Sequence, residues 1–194
     1  MGMIFDGRGS GRRAEVDTSY RLLTRSFSES IQHSTSDEEG QAYQVVGETD
    51  LSLGTTVALH ITNTSQTHKL VITYCRHQIV EGTGGTAFPN SSNYFRITMG
   101  RDYVSGGTLI TPKNVNSRSA NNAEVTCYTG NPTLNSESHG ATIDKWYTKS
   151  YGDMNTFNKE GSLIIGNGGT LELSYVGDRT DGKIYTRLSF LMMT

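Results

Sequence analysis

Apolar residues recur along this chain at every second position, in short runs broken by glycine, asparagine, serine and aspartate. Thr55–Thr64 ("TTVALHITNT") sets Val57, Leu59 and Ile61 on one face against Ala58, His60 and Thr62 on the other. The last run, Gly182–Met193 ("GKIYTRLSFLMM"), groups Ile184, Thr186, Leu188 and Phe190 and turns Tyr185, Arg187, Ser189 and Leu191 the other way. A period of two is the mark of a half-buried strand. No long stretch keeps a helical i, i+3, i+4 apolar stripe free of glycine and β-branched runs. The pattern predicts strands, not helices.

Further strands are expected at Ala42–Val46, at Tyr94–Met99, within "GTLITP" and "NAEVTCYTG", and over Ala141–Lys149 and Gly161–Gly177. His68–Val80 is more continuously apolar, as a strand covered on both faces would be. "EGTGGTAFPNSSN" reads as a loop and "GNGG" as a tight turn, while Asp181–Gly182 is the pair that favours a type I′ hairpin. About eight short strands at this spacing predict an all-β fold, an antiparallel, jelly-roll-like β-sandwich. Three prolines among 22 glycines fit tight turns rather than stiff linkers.

The first forty residues break the pattern. "DGRGSGRRAEVDTSYRLLTRSFSES" spaces Gly7, Gly9 and Gly11 around Arg8 and follows them with Arg12 and Arg13, which cannot bury a core. A polar stretch with an acidic cluster at Asp37–Glu39 comes next. Residues 1–40 are therefore expected to be an extended N-terminal arm, with one short strand at most, and residues 41–194 the sandwich.

Composition narrows the function. The 194 residues are 34% hydrophobic, which suits a thin sandwich core better than a helical bundle. With 17 basic and 19 acidic residues the net charge is -2, whereas nucleic-acid affinity rests on neutralising phosphates. No direct nucleic-acid partner is expected. No apolar run approaches the ~20 residues of a membrane span, so no membrane partner is expected either. Arginines follow the small apolar stretch "MGMIF", the reverse of a secretory leader, which predicts synthesis in a cytoplasm. Cys75 and Cys127 lie in strand-like contexts and read as small buried hydrophobes, with an intra-chain bridge or inter-subunit link left open.

Catalytic patterns are weak. "GRGSGR" lacks the preceding strand and following helix that a phosphate-binding glycine loop needs, and it misses the nucleophile-elbow spacing by one position. His60 and His77 fall on expected strands, with Cys75 on the same face as His77, but spacing supplies no third or fourth metal ligand. The five histidines (His33, His60, His68, His77, His139) are expected to be surface or half-buried groups. Asp144, Asp153, Glu160 and Glu172 can be imagined as paired carboxylates, yet nothing singles them out. No catalytic residue, metal ligand or cofactor is assigned. The most aromatic stretch, "DKWYTKSYGDMNTF", offers Trp146, Tyr147 and Tyr151 as exposed contacts for a sugar or protein partner, or else one face of the core.

The arm carries a resemblance. Asp6, Gly7, Gly9, Gly11, Ala14, Val16 and Asp17, then Arg21, Leu22, Arg25, Ser26, Glu29 and Ser30, resemble the opening of small jelly-roll virion structural proteins of tailed bacteriophages. The closing "GGTLELSYVG…IYTRLSFLMM" looks like the last hairpin of such domains. The resemblance implies a non-enzymatic capsid decoration (cement) protein on the virion surface, with the major capsid protein or other virion proteins as partners and trimers common. The partner-binding residues would then be Asp6, Gly7, Arg8, Gly9, Gly11, Arg12, Arg13, Arg21 and Arg25. A glycine-spaced arm can lie along a neighbour, and its arginines can pair with carboxylates there. The alternative is a tail or head-fibre attachment protein, or a receptor-binding (carbohydrate-binding) one.

Overall fold

The computed structural model describes residues 2–5, 13–16, 22–23, 40–80, 93–148 and 154–194. Internal contacts divide the chain into Met1–Ile31 and Gln32–Thr194. In the first unit β1 (Gly2–Phe5), β2 (Arg13–Val16) and β3 (Leu22–Leu23) form an antiparallel sheet in that order. Where the sequence suggests a single extended run, the backbone doubles back twice.

Among its described residues the second unit is all β apart from one short 3-10 turn at Glu137–His139. Its strands are β4 (Ala42–Asp50), β5 (Gly54–Asn63), β6 (Lys69–Val80), β7 (Tyr94–Met99), β8 (Tyr103–Ser105), β9 (Thr108–Ile110), β10 (Lys113–Asn114), β11 (Val125–Thr129), β12 (Thr133–Leu134), β13 (Ala141–Tyr147), β14 (Met154–Ile165), β15 (Thr170–Gly177) and β16 (Lys183–Met193). One sheet runs β10-β4-β16-β6-β14 and the other β13-β7-β15-β5-β11-β9. Set aside β8 to β12, and the eight remaining strands alternate between sheets, except that β7 and β13 pair within one sheet, as two interleaved Greek keys. The first strand pairs with the last, which is the jelly-roll connectivity. The long strand β6 is central because β16 and β14 flank it on either side.

The core lies between the sheets. Tyr43, Leu59, Ile61, Leu70, Ile72, Ile97, Leu171, Leu173, Leu188 and Phe190 make its larger part, and Phe95, Tyr175, Ile79, Ile184, Leu51 and Ala58 its smaller. Final-strand alternation is as expected: Ile184, Thr186, Leu188 and Phe190 are all buried. Strand β5 departs from strict alternation. Its pairing with β15 slips between Leu173↔Leu59 and Ser174↔Val57, leaving Ala58 as an extra residue. A bulge shifts the phase of side chains by one. Ala58 consequently joins Leu59 and Ile61 in the core, and Val57 leaves their face.

Two other expectations are corrected. Thr73, Tyr74, Arg76 and Gln78 on β6 are only half-buried, so this strand is covered fully on one face rather than on both. At the β15–β16 turn only Gly182 has a positive φ, 112°, and Asp181 does not, so the turn is not type I′. Arg179 Nε instead reaches Asp181 at 3.3 Å across the turn.

Candidate functional site

Of the arm residues named as partner-binding, only Arg13 lies within the described residues, at the start of β2 and paired in register with Phe5; Ala14, Val16 and Leu22 of the resemblance lie in β2 and β3. Asp6, Gly7, Arg8, Gly9, Gly11, Arg12, Arg21 and Arg25 lie outside them, as do Tyr151, His33 and Asp153. Trp146 is not an exposed contact. Its ring packs against both parts of the core, 5.8 Å from His77 and 6.3 Å from Phe95. Strand alternation then sends Tyr147 outward, where it is 55% exposed. Tyr147 meets Tyr94 edge-on at 5.9 Å, and Lys145 Nζ sits 3.6 Å over the Tyr94 ring. This is a small cationic-aromatic surface at the end of β7 and β13.

The densest polar cluster is one that sequence spacing did not assemble. Residues 100–140 leave the β7 end and return, bringing Arg101, Asn135 and Glu137 to the outer face of β15. Glu172, at a position where an outer-face side chain would meet water, is instead fully buried. Arg101 Nη1 donates to its Oε2 at 2.8 Å, and Arg96 Nη2 lies 3.6 Å from its Oε1. Arg96 also donates to Glu137, which holds that carboxyl below its usual range. Arg101 donates twice more, to the Asn135 carbonyl, at 3.1 and 2.8 Å. Next to this, His60 Nε2 donates to the Arg101 carbonyl at 2.8 Å. That bond fixes the neutral tautomer, because a carbonyl only accepts. Burial pushes the His60 imidazole down, against the pull of Arg101's carbonyl and of Glu172. Each carboxylate is answered by a guanidinium, so the cluster clamps the 100–140 excursion to the sheet.

The arrangement nearest to a nucleophile and base lies in the core. His77 Nε2 is 3.3 Å from Cys75 Sγ, and His77 Nδ1 is 3.0 Å from Thr186 Oγ1. The imidazole stacks on Phe95 at 4.7 Å with an 11° interplanar angle. Both Cys75 and His77 are buried. Burial drives the Cys75 thiol up and the His77 imidazole down to about 3. Neither group is charged at neutral pH. A reactive cysteine needs an accessible, electropositive setting, so this pair is structural. Cys127 is likewise a free buried thiol, raised by burial to about 12. His60 and His77 thus differ from the expectation of surface or half-buried histidines: the strand pattern put them on faces that the topology then covered.

A shallow cleft of about 170 Å³ opens between Gln41, His68, Asn121, Asn122, Glu124 and Met192. His68 Nδ1 lies 3.5 Å from Glu124 Oε2. A hydrogen bond from Ser65, aided by His68, lowers the Glu124 carboxyl. Among the described residues no group of three or more histidine, cysteine, aspartate or glutamate side chains is placed to hold a metal ion.

No family model matches the chain, and no curated protein does. Among solved structures it is weakly similar to a chain of "Structure of infectious bursal disease virus Gx strain", at 12% identity and a TM-score of 0.16. That match covers 79% of this chain and spans 38% of the other, and a score so low does not indicate a shared fold.

Proposed function

We propose that this chain is a non-enzymatic structural protein of a virus particle, with capsid decoration as its leading role. The observation that carries the reading is the N-terminal glycine- and arginine-spaced segment, Asp6 to Arg25, standing ahead of a jelly-roll domain. Such a segment adds backbone hydrogen bonds and bidentate arginine contacts to a neighbouring subunit. Weak contacts of this kind gain strength when a symmetric oligomer, here a trimer, makes several at once. The sealed Cys75–His77 pair and the ion-paired Glu172 cluster support a role without catalysis.

Purified particles should therefore contain the protein at a simple ratio to the major shell subunit, read by quantitative mass spectrometry. Deleting residues 1–40 should abolish particle binding and leave the sandwich folded. A handful of copies per particle points instead to a tail or fibre position. The outward Tyr94, Lys145 and Tyr147 favour a second reading, a receptor-contacting tip, because tyrosine rings and a lysine are groups that meet a sugar face. In that case glycan binding survives the deletion and is lost in Tyr147→Ala. Absence from particles overturns both readings.

A further inference from the structure

His77 sits where the two sheets meet, and the partners it touches among the described residues, Cys75, Thr186, Phe95 and Trp146, are uncharged. Its own strand β6 offers Cys75 and Ile79, and β16 offers Thr186 between Ile184 and Leu188. From the other sheet, β7 presents Phe95 and β13 presents Trp146. Strand β14 places Asn155 opposite it in register. Tyr175, the remaining titratable group nearby, packs on Phe95 and gives its hydroxyl to Asn93. Among the described charged residues of these strands, Arg76 reaches Gln78, Arg96 reaches Glu137, Lys145 lies over Tyr94 and Arg187 over Tyr74, while Asp144 of β13 pairs in register with Ile97, two residues before Trp146.

As a neutral ring His77 is fully satisfied. The thiol and the hydroxyl can each donate or accept, so either tautomer makes both bonds. An imidazolium would have to donate to both, one of them a weak sulfur acceptor, with no carboxylate paired to it among the described residues. The Phe95 face offers some cation–π attraction, but this recovers only part of the lost hydration. His60 is different, since Glu172 and Asp102 lie close enough to favour its charged form even though Arg101 opposes it.

We propose that His77 makes the domain acid-sensitive: as a neutral ring it fills the seam between the two sheets, and because it can take up a proton only when the seam opens, falling pH favours release of the sheets. The direction follows from linkage. The exposed imidazole of the unfolded chain takes up a proton near 6.5, whereas the buried one resists until about 3. The contribution of His77 is therefore complete above about 6.5 and is lost progressively as pH falls from there. On a particle, such a device loosens this protein on entry to an acidic compartment while its charged exterior contacts remain available.

The test is urea unfolding of the full chain from pH 8 to pH 4, for wild type, His77→Phe, His77→Gln and His60→Gln. For wild type the unfolding equilibrium constant should rise close to tenfold per pH unit below 6 through this one residue, over the background shared by all carboxylates. Both His77 variants should lose about that one-proton slope; His60→Gln, which removes a second imidazole lowered by burial, should lose only that residue's own share and keep the part due to His77. Should the His77 variants fail to fold, nitrogen-15 imidazole shifts of the wild type decide. A neutral His77 in the native spectrum down to pH 4.5 supports the proposal. Titration of His77 near 6.5 with the native spectrum intact overturns it, as does an unchanged slope in the variants.

Discussion

Glu172 and His77 are both fully buried in a strand of the sandwich, and their surroundings have nothing in common. Glu172 lies on the outer face of β15 between two guanidinium groups, Arg101 at 2.8 Å and Arg96 at 3.6 Å. His77 lies on the inner face of β6 among a thiol, a hydroxyl and aromatic rings. The outer face was covered by a late excursion of chain that brought its own counter-charges. The inner face was closed by the sheets themselves, and could admit a polar group only in neutral form. Burial alone thus says little about a polar residue; what matters is whether the element that covers it carries charge.

Removing one member should break the charged centre most severely. Glu172→Ala strands Arg101 and Arg96 and should cost ~3–5 kcal/mol in urea unfolding. Replacing the pair together, Arg101→Met with Glu172→Leu, should recover most of that loss, since an apolar contact of similar volume avoids desolvating two ions. If the double variant is no better than the single, the cluster is worth more than its pairwise charges. At the neutral centre, Thr186→Val removes a hydroxyl that His77 uses and should cost ~1–3 kcal/mol, with the native fold retained by circular dichroism. Glu137→Gln changes only the exposed end of the charged cluster. It should cost under about 1 kcal/mol, and less still in high salt. Finally, Cys75 and Cys127 should resist a thiol reagent in the native protein and react only at the rate of unfolding.

Much of this architecture was legible in the sequence. Tyr94–Met99 is a strand at the expected limits, and the two faces of the final strand separate as its alternation requires. Other features depend on partners distant in sequence. The bulge at Ala58 is set by pairing with β15, more than a hundred residues away, so local alternation assigns Val57 to the wrong face. Glu172 looks like an ordinary outer-face residue until the 100–140 excursion is placed over it. Trp146 and Tyr147 are adjacent aromatics, and which of them faces the core follows from register with Phe95 and Tyr94. The arm is the reverse case, since its sequence is the most distinctive in the chain, yet of the residues named as partner-binding only Arg13 lies among those described.

Asn93 has a consequence for how this domain can change. Its Oδ1 accepts from the Tyr175 hydroxyl at 2.9 Å and from the Asp178 amide at 3.2 Å, and its carbonyl accepts from the Thr148 amide at 3.1 Å. Gly177 is locked to the same spot, because a Cβ there would come within 2.1 Å of Asn93 Oδ1. Asn93, which follows residues 81–92 in sequence, and Thr148, which precedes residues 149–153, are thus bonded to each other and tied to a completed core. Insertions or exchanged sequences at those two connections are therefore insulated from the fold, which makes them the natural places for selection, or an engineer, to write new recognition onto an unchanged scaffold.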